Sequence, residues 1–221
     1  MPHPAARRRV RHDNRYGVSS NSMNLSLADV FTNPQLATYA IALPSSGKAY
    51  LRPLKADDVD KLAILLAGFS PETRRFKFFP TYDVATAKVL CEGIERFDKL
   101  LLVLELSPSQ RIIGGFEFSF DISDDDMQRF QRHGISLDAT RDCRIGLALA
   151  DEYQDKGIGS MIFPMLVDIA KRFGKERIIL WGGVFSDNPR AIRFYEKHGF
   201  RRVGTFADYY GRQSLDLMLE I

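Results

Sequence analysis

Leu147-Ala148-Leu149, followed by Gln154-Asp155-Lys156-Gly157-Ile158-Gly159-Ser160, is the stretch whose reading decides the fold. An apolar run of strand character passes through a short polar turn into two glycines one residue apart. From Gly157 to Phe173, the apolar side chains Ile158, Ile162, Met165, Ile169 and Phe173 recur at helical spacing. The local order is therefore strand, glycine-bearing turn, helix. A helix N-terminus leaves several backbone N–H groups unpaired and carries partial positive charge. Glycines let that backbone approach a ligand closely. A phosphate or diphosphate is the natural guest, and Lys156 adds a charge-assisted contact. Two phosphate-binding patterns are excluded. The P-loop pattern GxxxxGK[ST] is missing, and Ile162 stands where a dinucleotide fingerprint needs its third glycine. What remains is Q-x-x-G-x-G after a strand.

Outward from this centre the chain alternates strands and helices. Upstream, Ala49–Leu54 reads as a strand closed by Pro53. Asp57 and Asp58 precede an amphipathic helix carrying Val59, Leu62, Leu65 and Leu66. Ser70 and Pro71 open a second helix, and Val84 to Phe97 reads as a third. Leu100–Leu106 and Arg111–Phe120 are strands joined by the turn Ser107-Pro108-Ser109-Gln110. Residues 121–141 form a polar insert whose Asp121, Asp124, Asp125 and Asp126 lack Ca²⁺-loop spacing, so they read as solvated surface. Arg144–Ala150 is the strand that enters the glycine turn. Downstream, Arg177–Val184 is a strand, and Asn188–His198 is a helix with Asn188 as N-cap, Pro189 at its first position and Gly199 past its end. His198 suits the negative end of that helix. Phe200–Phe206 and Ser214–Ile221 close the sheet. The class is α/β, with a mixed, twisted central sheet of about seven strands and flanking helices.

A second motif lies one strand and one turn after the first: Asn188-Pro189-Arg190-Ala191-Ile192-Arg193-Phe194-Tyr195-Glu196-Lys197-His198-Gly199-Phe200. It is similar to N-x-x-A-x-x-F-Y-x-x-x-G-F, motif B of the GCN5-related N-acetyltransferases, the GNAT superfamily. The segment ending in Gly157-Ile158-Gly159 resembles motif A of the same family. Phe69-Ser70-Pro71-Glu72-Thr73-Arg74-Arg75-Phe76-Lys77-Phe78-Phe79 also looks like a segment of the branch that includes bacterial protein-lysine acetyltransferases. The resemblance covers roughly residues 48–221.

The resemblance implies an acyl-CoA N-acyltransferase fold, with acetyl-CoA as co-substrate and an amine as acceptor, a protein lysine, an N-terminus or a small molecule. Backbone groups of Leu147, Ala148 and Leu149 would pair with the pantetheine arm, an added strand in effect. The amides of Gln154, Asp155, Lys156, Gly157, Ile158, Gly159 and Ser160 would hold the pyrophosphate, and Asn188 would touch the cofactor or cap its helix. Tyr195 matches the tyrosine that protonates the departing thiolate. Direct attack within a ternary complex would be aided by a backbone N–H near Leu149. Many family members place a glutamate base where this chain has Cys143 or Arg144. Glu117 is the nearest substitute, with Asp151 and Glu152 behind it. Arg144 would put positive charge beside the acceptor and favour one carrying a carboxylate or phosphate. The sheet would splay between the strands at 144–150 and 177–184 to admit the cofactor.

Composition bounds the rest. At 221 residues the chain suits one sizeable domain. We assign residues 1–45 to a partly disordered N-terminal extension and 46–221 to the domain, with Pro44-Ser45-Ser46-Gly47 as linker. The net charge is +3, and Arg7, Arg8, Arg9, Arg11 and Arg15 supply more than all of it. The basic balance belongs to the tail, which argues against a nucleic-acid partner. Cys91 and Cys143 sit in no ligand pattern, so no metal is expected, and so few cysteines suit a reducing cytoplasm. No run is long enough to span a bilayer. A monomer or a homodimer fits equally well. A competing reading is an acyl-CoA-binding sensor without turnover, supported by the missing carboxylate at 144.

Overall fold

The computed structural model describes residues 24–44, 47–77, 79–94, 96–208 and 210–221. The tail at 1–22 and the serines of the expected linker, Ser45 and Ser46, lie outside the described residues. The order of elements is α1 (Leu27–Thr32), β1 (Tyr39–Leu43), β2 (Gly47–Pro53), α2 (Val59–Ala67), α3 (Pro71–Arg75), α4 (Val84–Glu92), β3 (Lys99–Ser107), β4 (Ile112–Ser119), α5 (Asp124–Gln131), β5 (Asp142–Leu149), α6 (Ile158–Arg172), β6 (Arg177–Leu180), β7 (Val184–Phe185), α7 (Pro189–Lys197), β8 (Arg201–Ala207) and β9 (Gln213–Glu220).

The mixed α/β class holds, with nine strands rather than about seven. Their order is β1-β2-β3-β4-β5-β6-β9-β7, and β8 lies on β9. Every pairing is antiparallel except β5 with β6. Two of the unforeseen strands arise from local causes. β1 is hydrogen-bonded to β2 from Tyr39↔Leu51 to Leu43↔Gly47, so residues 39–43 join the same sheet as the strands that follow. The expected strand 177–184 breaks in two at Gly182 and Gly183, both at positive φ. β6 leaves β5 after Ile145↔Leu180, and β7 pairs with β9 at Val184↔Leu215. The third helix ends at Glu92, short of Phe97.

Period-2 alternation gives the sheet two apolar faces. Leu100, Leu102 and Leu104 on β3 pack toward α6, where Ile162, Leu166 and Ile169 form the main core. Leu101 and Val103 point the other way, toward Leu62, Leu65 and Leu66 of α2 and Ala87 of α4. The N-terminal segment belongs to the same body, because Val30, Ala37, Ile41 and Leu43 are buried in the main core. Among the described residues, no helix is long and apolar enough to cross a membrane.

Candidate functional site

The break after β6 creates the site. β5 continues through Gly146, Leu147, Ala148 and Leu149 while its parallel neighbour has turned away, so one edge of β5 lies open. The Ala150 N–H donates to Ile113 O, which fixes the alternation along β5. Ala148 and Gly146 turn their N–H and C=O toward β4, and Leu147 and Leu149 turn theirs toward the open edge. At that edge the Lys77 ammonium donates to Leu147 O, and Gln154 Nε2 donates to Leu149 O at 2.8 Å. Burial lowers the Lys77 ammonium to about 8.

A groove of about 380 Å³ runs from this edge to the start of α6, lined by Gln154, Asp155, Gly157, Ile158, Gly159 and Ser160. Gly157, with φ 76°, is the N-cap, and a side chain there would meet open space. The first-turn N–H groups of α6 have no partner four residues back. Gly159 has a different reason to be glycine. A Cβ would stand 3.0 Å from the Phe194 ring, so its absence lets α7 pack onto the helix start. Ser160 Oγ lies 3.0 Å from His198 Nε2, which ties the same two helices together. The groove's cations are Lys77 and, on α7, Arg190, Arg193 and Lys197. A groove with helix N–H groups at one end, cations along one wall and a free strand edge at the other fits a phosphate-bearing ligand with an extended amide arm.

A second cavity, about 490 Å³, opens on the other side of Lys77, Leu147, Ala148 and Tyr195, which line both. Tyr195 is 8% exposed. Among the described residues nothing hydrogen-bonds its hydroxyl, and burial pushes its phenol up. The Glu117 carboxylate faces this second cavity and pairs with Lys99 at 2.7 Å. The Lys99 ammonium also sits 4.4 Å from the Trp181 ring centroid. Asn188 caps α7 through Ala191 N–H at 3.1 Å and lines both cavities.

Residues 70–200, more than half of the chain, match the family model described as the acetyltransferase (GNAT) family. The chain belongs to that family. A curated acetyltransferase of Pseudomonas aeruginosa is 21% identical over 155 residues, covering 70% of this chain and 77% of that protein. Mycobacterium smegmatis RimJ, solved with CoA-disulfide, superposes with a TM-score of 0.64 at 16% identity over 83% of this chain and 86% of that one. An aminoglycoside acetyltransferase solved with coenzyme A and kanamycin gives 0.60 at 20% identity, over 78% and 94%. The fold is the one these GNAT proteins share.

Within this GNAT frame the residues singled out by sequence divide. Leu147, Ala148, Leu149, Gln154, Asp155, Gly157, Ile158, Gly159, Ser160, Asn188 and Tyr195 line the groove, and Glu117 lines the second cavity. Lys156 lines neither; its ammonium sits 5.9 Å from the Tyr153 ring centroid. Arg144 lines neither as well. Its side chain is 7% exposed and held by Asp121 at 2.8 Å and Asp126 at 3.2 Å, so its donors are spent inside the fold. The same contacts overturn the solvated reading of Asp126, which is buried between Arg144 and Arg129. Asp151 accepts from Ser70 and Thr73. Burial alone would raise its carboxyl, but those hydrogen bonds hold it below the usual value. Glu152 pairs with Arg111 on the surface. Sequence reasoning missed Lys77 and the α7 cations. Spacings of three and four along 190, 193 and 197 put the latter on one helix face, while Lys77 reaches β5 only through the tertiary fold.

Proposed function

We propose that the chain transfers an acetyl group from acetyl-CoA to a primary amine by direct attack in a ternary complex. One observation carries the reading: Tyr195, whose hydroxyl has no hydrogen-bond partner among the described residues, lines both the phosphate-suited groove and the second cavity. The GNAT membership and the coenzyme A in two superposed relatives support acetyl-CoA as the donor.

The roles follow from the groups present. The α6 N-terminus and the α7 cations would hold the diphosphate. The Leu147 and Leu149 backbone groups would take the amide arm as a strand would, with Lys77 yielding the Leu147 carbonyl. The same edge presents N–H groups suited to a developing oxyanion. Glu117 would accept the acceptor's ammonium proton, freeing the lone pair. The nitrogen attacks the thioester carbon; a C–N bond forms, the C–S bond breaks, and the nitrogen sheds its second proton to solvent. Tyr195 donates its proton to the departing sulfur and regains one from water. A sensor without turnover is favoured by one observation: Glu117 is already paired to Lys99.

Calorimetric titration with coenzyme A, together with thiol release on a panel of amines, separates the two. Binding with amine-dependent thiol release is the expected result. Binding without release on any amine would leave the sensor reading standing.

A further inference from the structure

The second cavity names the kind of amine that reaches the reaction centre. We propose that the acceptor is a primary amine with a single cationic centre on an apolar, aromatic-sized body. This rests on the acetyl-transfer reading and deepens it.

An acceptor must approach from the side opposite the coenzyme groove, and that side is the cavity of about 490 Å³ beyond Lys77 and Tyr195. A volume in this range suits a compact organic molecule. The walls are apolar: Leu62, Leu66 and Phe69 from α2 and the turn after it, Leu101 from β3, and Phe79 and Trp181. Aliphatic and aromatic walls reward an apolar body and leave sugar hydroxyls without partners.

Charge narrows the choice further. Glu117 is the one carboxylate among the lining residues, and two ammonium groups, Lys77 and Lys99, share the cavity with it. One acceptor ammonium meets Glu117, beside the Lys99 already paired there at 2.7 Å. A second ammonium on the same acceptor meets no carboxylate and faces two like charges, so polyamines and aminoglycosides are rejected. Trp181, 41% exposed, carries the Lys99 ammonium 4.4 Å from its ring centroid, and its remaining exposed surface would meet the apolar body.

The test uses the full chain with acetyl-CoA and follows thiol release with 2-phenylethylamine, tryptamine, methylamine, spermidine and kanamycin. Expected is a kcat/KM for the two aromatic amines at least about tenfold above that of every other amine, in line with an apolar pocket's discrimination. Trp181→Ala should raise KM for 2-phenylethylamine several-fold more than KM for methylamine, and leave calorimetric coenzyme A affinity intact. Preference for spermidine or kanamycin overturns the acceptor class while the acetyl-transfer reading stands. An unchanged aromatic-to-methylamine ratio in Trp181→Ala overturns it too. Coenzyme A binding with no turnover on any amine overturns both.

Discussion

Tyr195 shows what burial does to a single residue. Its ring packs against Phe194 and Phe200, with centroids 5.3 and 5.1 Å away, while its hydroxyl has no hydrogen-bond partner among the described residues. A phenol pushed up by burial remains protonated throughout the working range, which suits a donor. Tyr195→Phe keeps the packing and removes only the hydroxyl. Its kcat should fall about 10²-fold or more with coenzyme A affinity retained; an unchanged kcat removes Tyr195 from the acid role. Lys77 gives a stability prediction. Burial lowers the folded ammonium to about 8 from the ordinary 10.5, so between these values the folded state binds fewer protons than the unfolded one. Stability therefore rises with pH across that window, and below it the full cost of the buried charge is present. Lys77→Met should abolish this increment. Denaturant midpoints on both sides of the window, compared between wild type and variant, read it directly, and parallel curves would show that Lys77 is not the titrating group.

At the scale of elements, the decisive event is the break between β6 and β7. Two glycines at positive φ turn the chain from β5 toward β9, and the free edge of β5 follows. At Gly183 a Cβ would stand 2.7 Å from Leu215 O at a φ of 68°. Gly183→Ala should cost about 1–3 kcal/mol, lowering Tm by roughly 2–4 °C per kcal/mol for a chain of this size. A thermal melt at wild-type Tm would mean the bend absorbs the methyl. Both glycines are visible in the sequence as turn-formers, yet the apolar run around them reads as one strand. The sequence held enough to expect a turn but not its direction, which is set by pairing with β9. Motif A and motif B show the opposite case. Their helix starts, the N-cap at Asn188 and the glycine at 157 follow from local chemistry and appear as expected.

At the scale of the whole molecule, residues 30–43 share the main core. α1, β1 and the turn between them supply Val30, Ala37, Ile41 and Leu43 to the core, and β1 gives β2 its outer partner. A chain beginning at residue 46 would expose the apolar edge that these residues cover. We predict that it fails to show a cooperative unfolding transition, while a chain beginning at residue 24 melts as the full one does. Circular dichroism melts of both forms test this, and a cooperative melt of the shorter chain would make residues 24–43 dispensable. The segment's sequence signal is weak because its few apolar residues straddle Pro34 and Pro44 and keep no single period for long.

Local sequence determined the elements that depend on near neighbours: the glycine-bearing start of α6, the capped α7, the α/β class and the tyrosine within motif B. Only the tertiary structure decided which charges are spent and which are free. Arg144 is absorbed by Asp121 and Asp126, and Lys77 is brought across the fold to the open edge of β5. The physical reason is range. Caps and periodic faces are settled within a few residues of chain, whereas the partner of a buried charge lies tens of residues away and exists only once the sheet has closed around it.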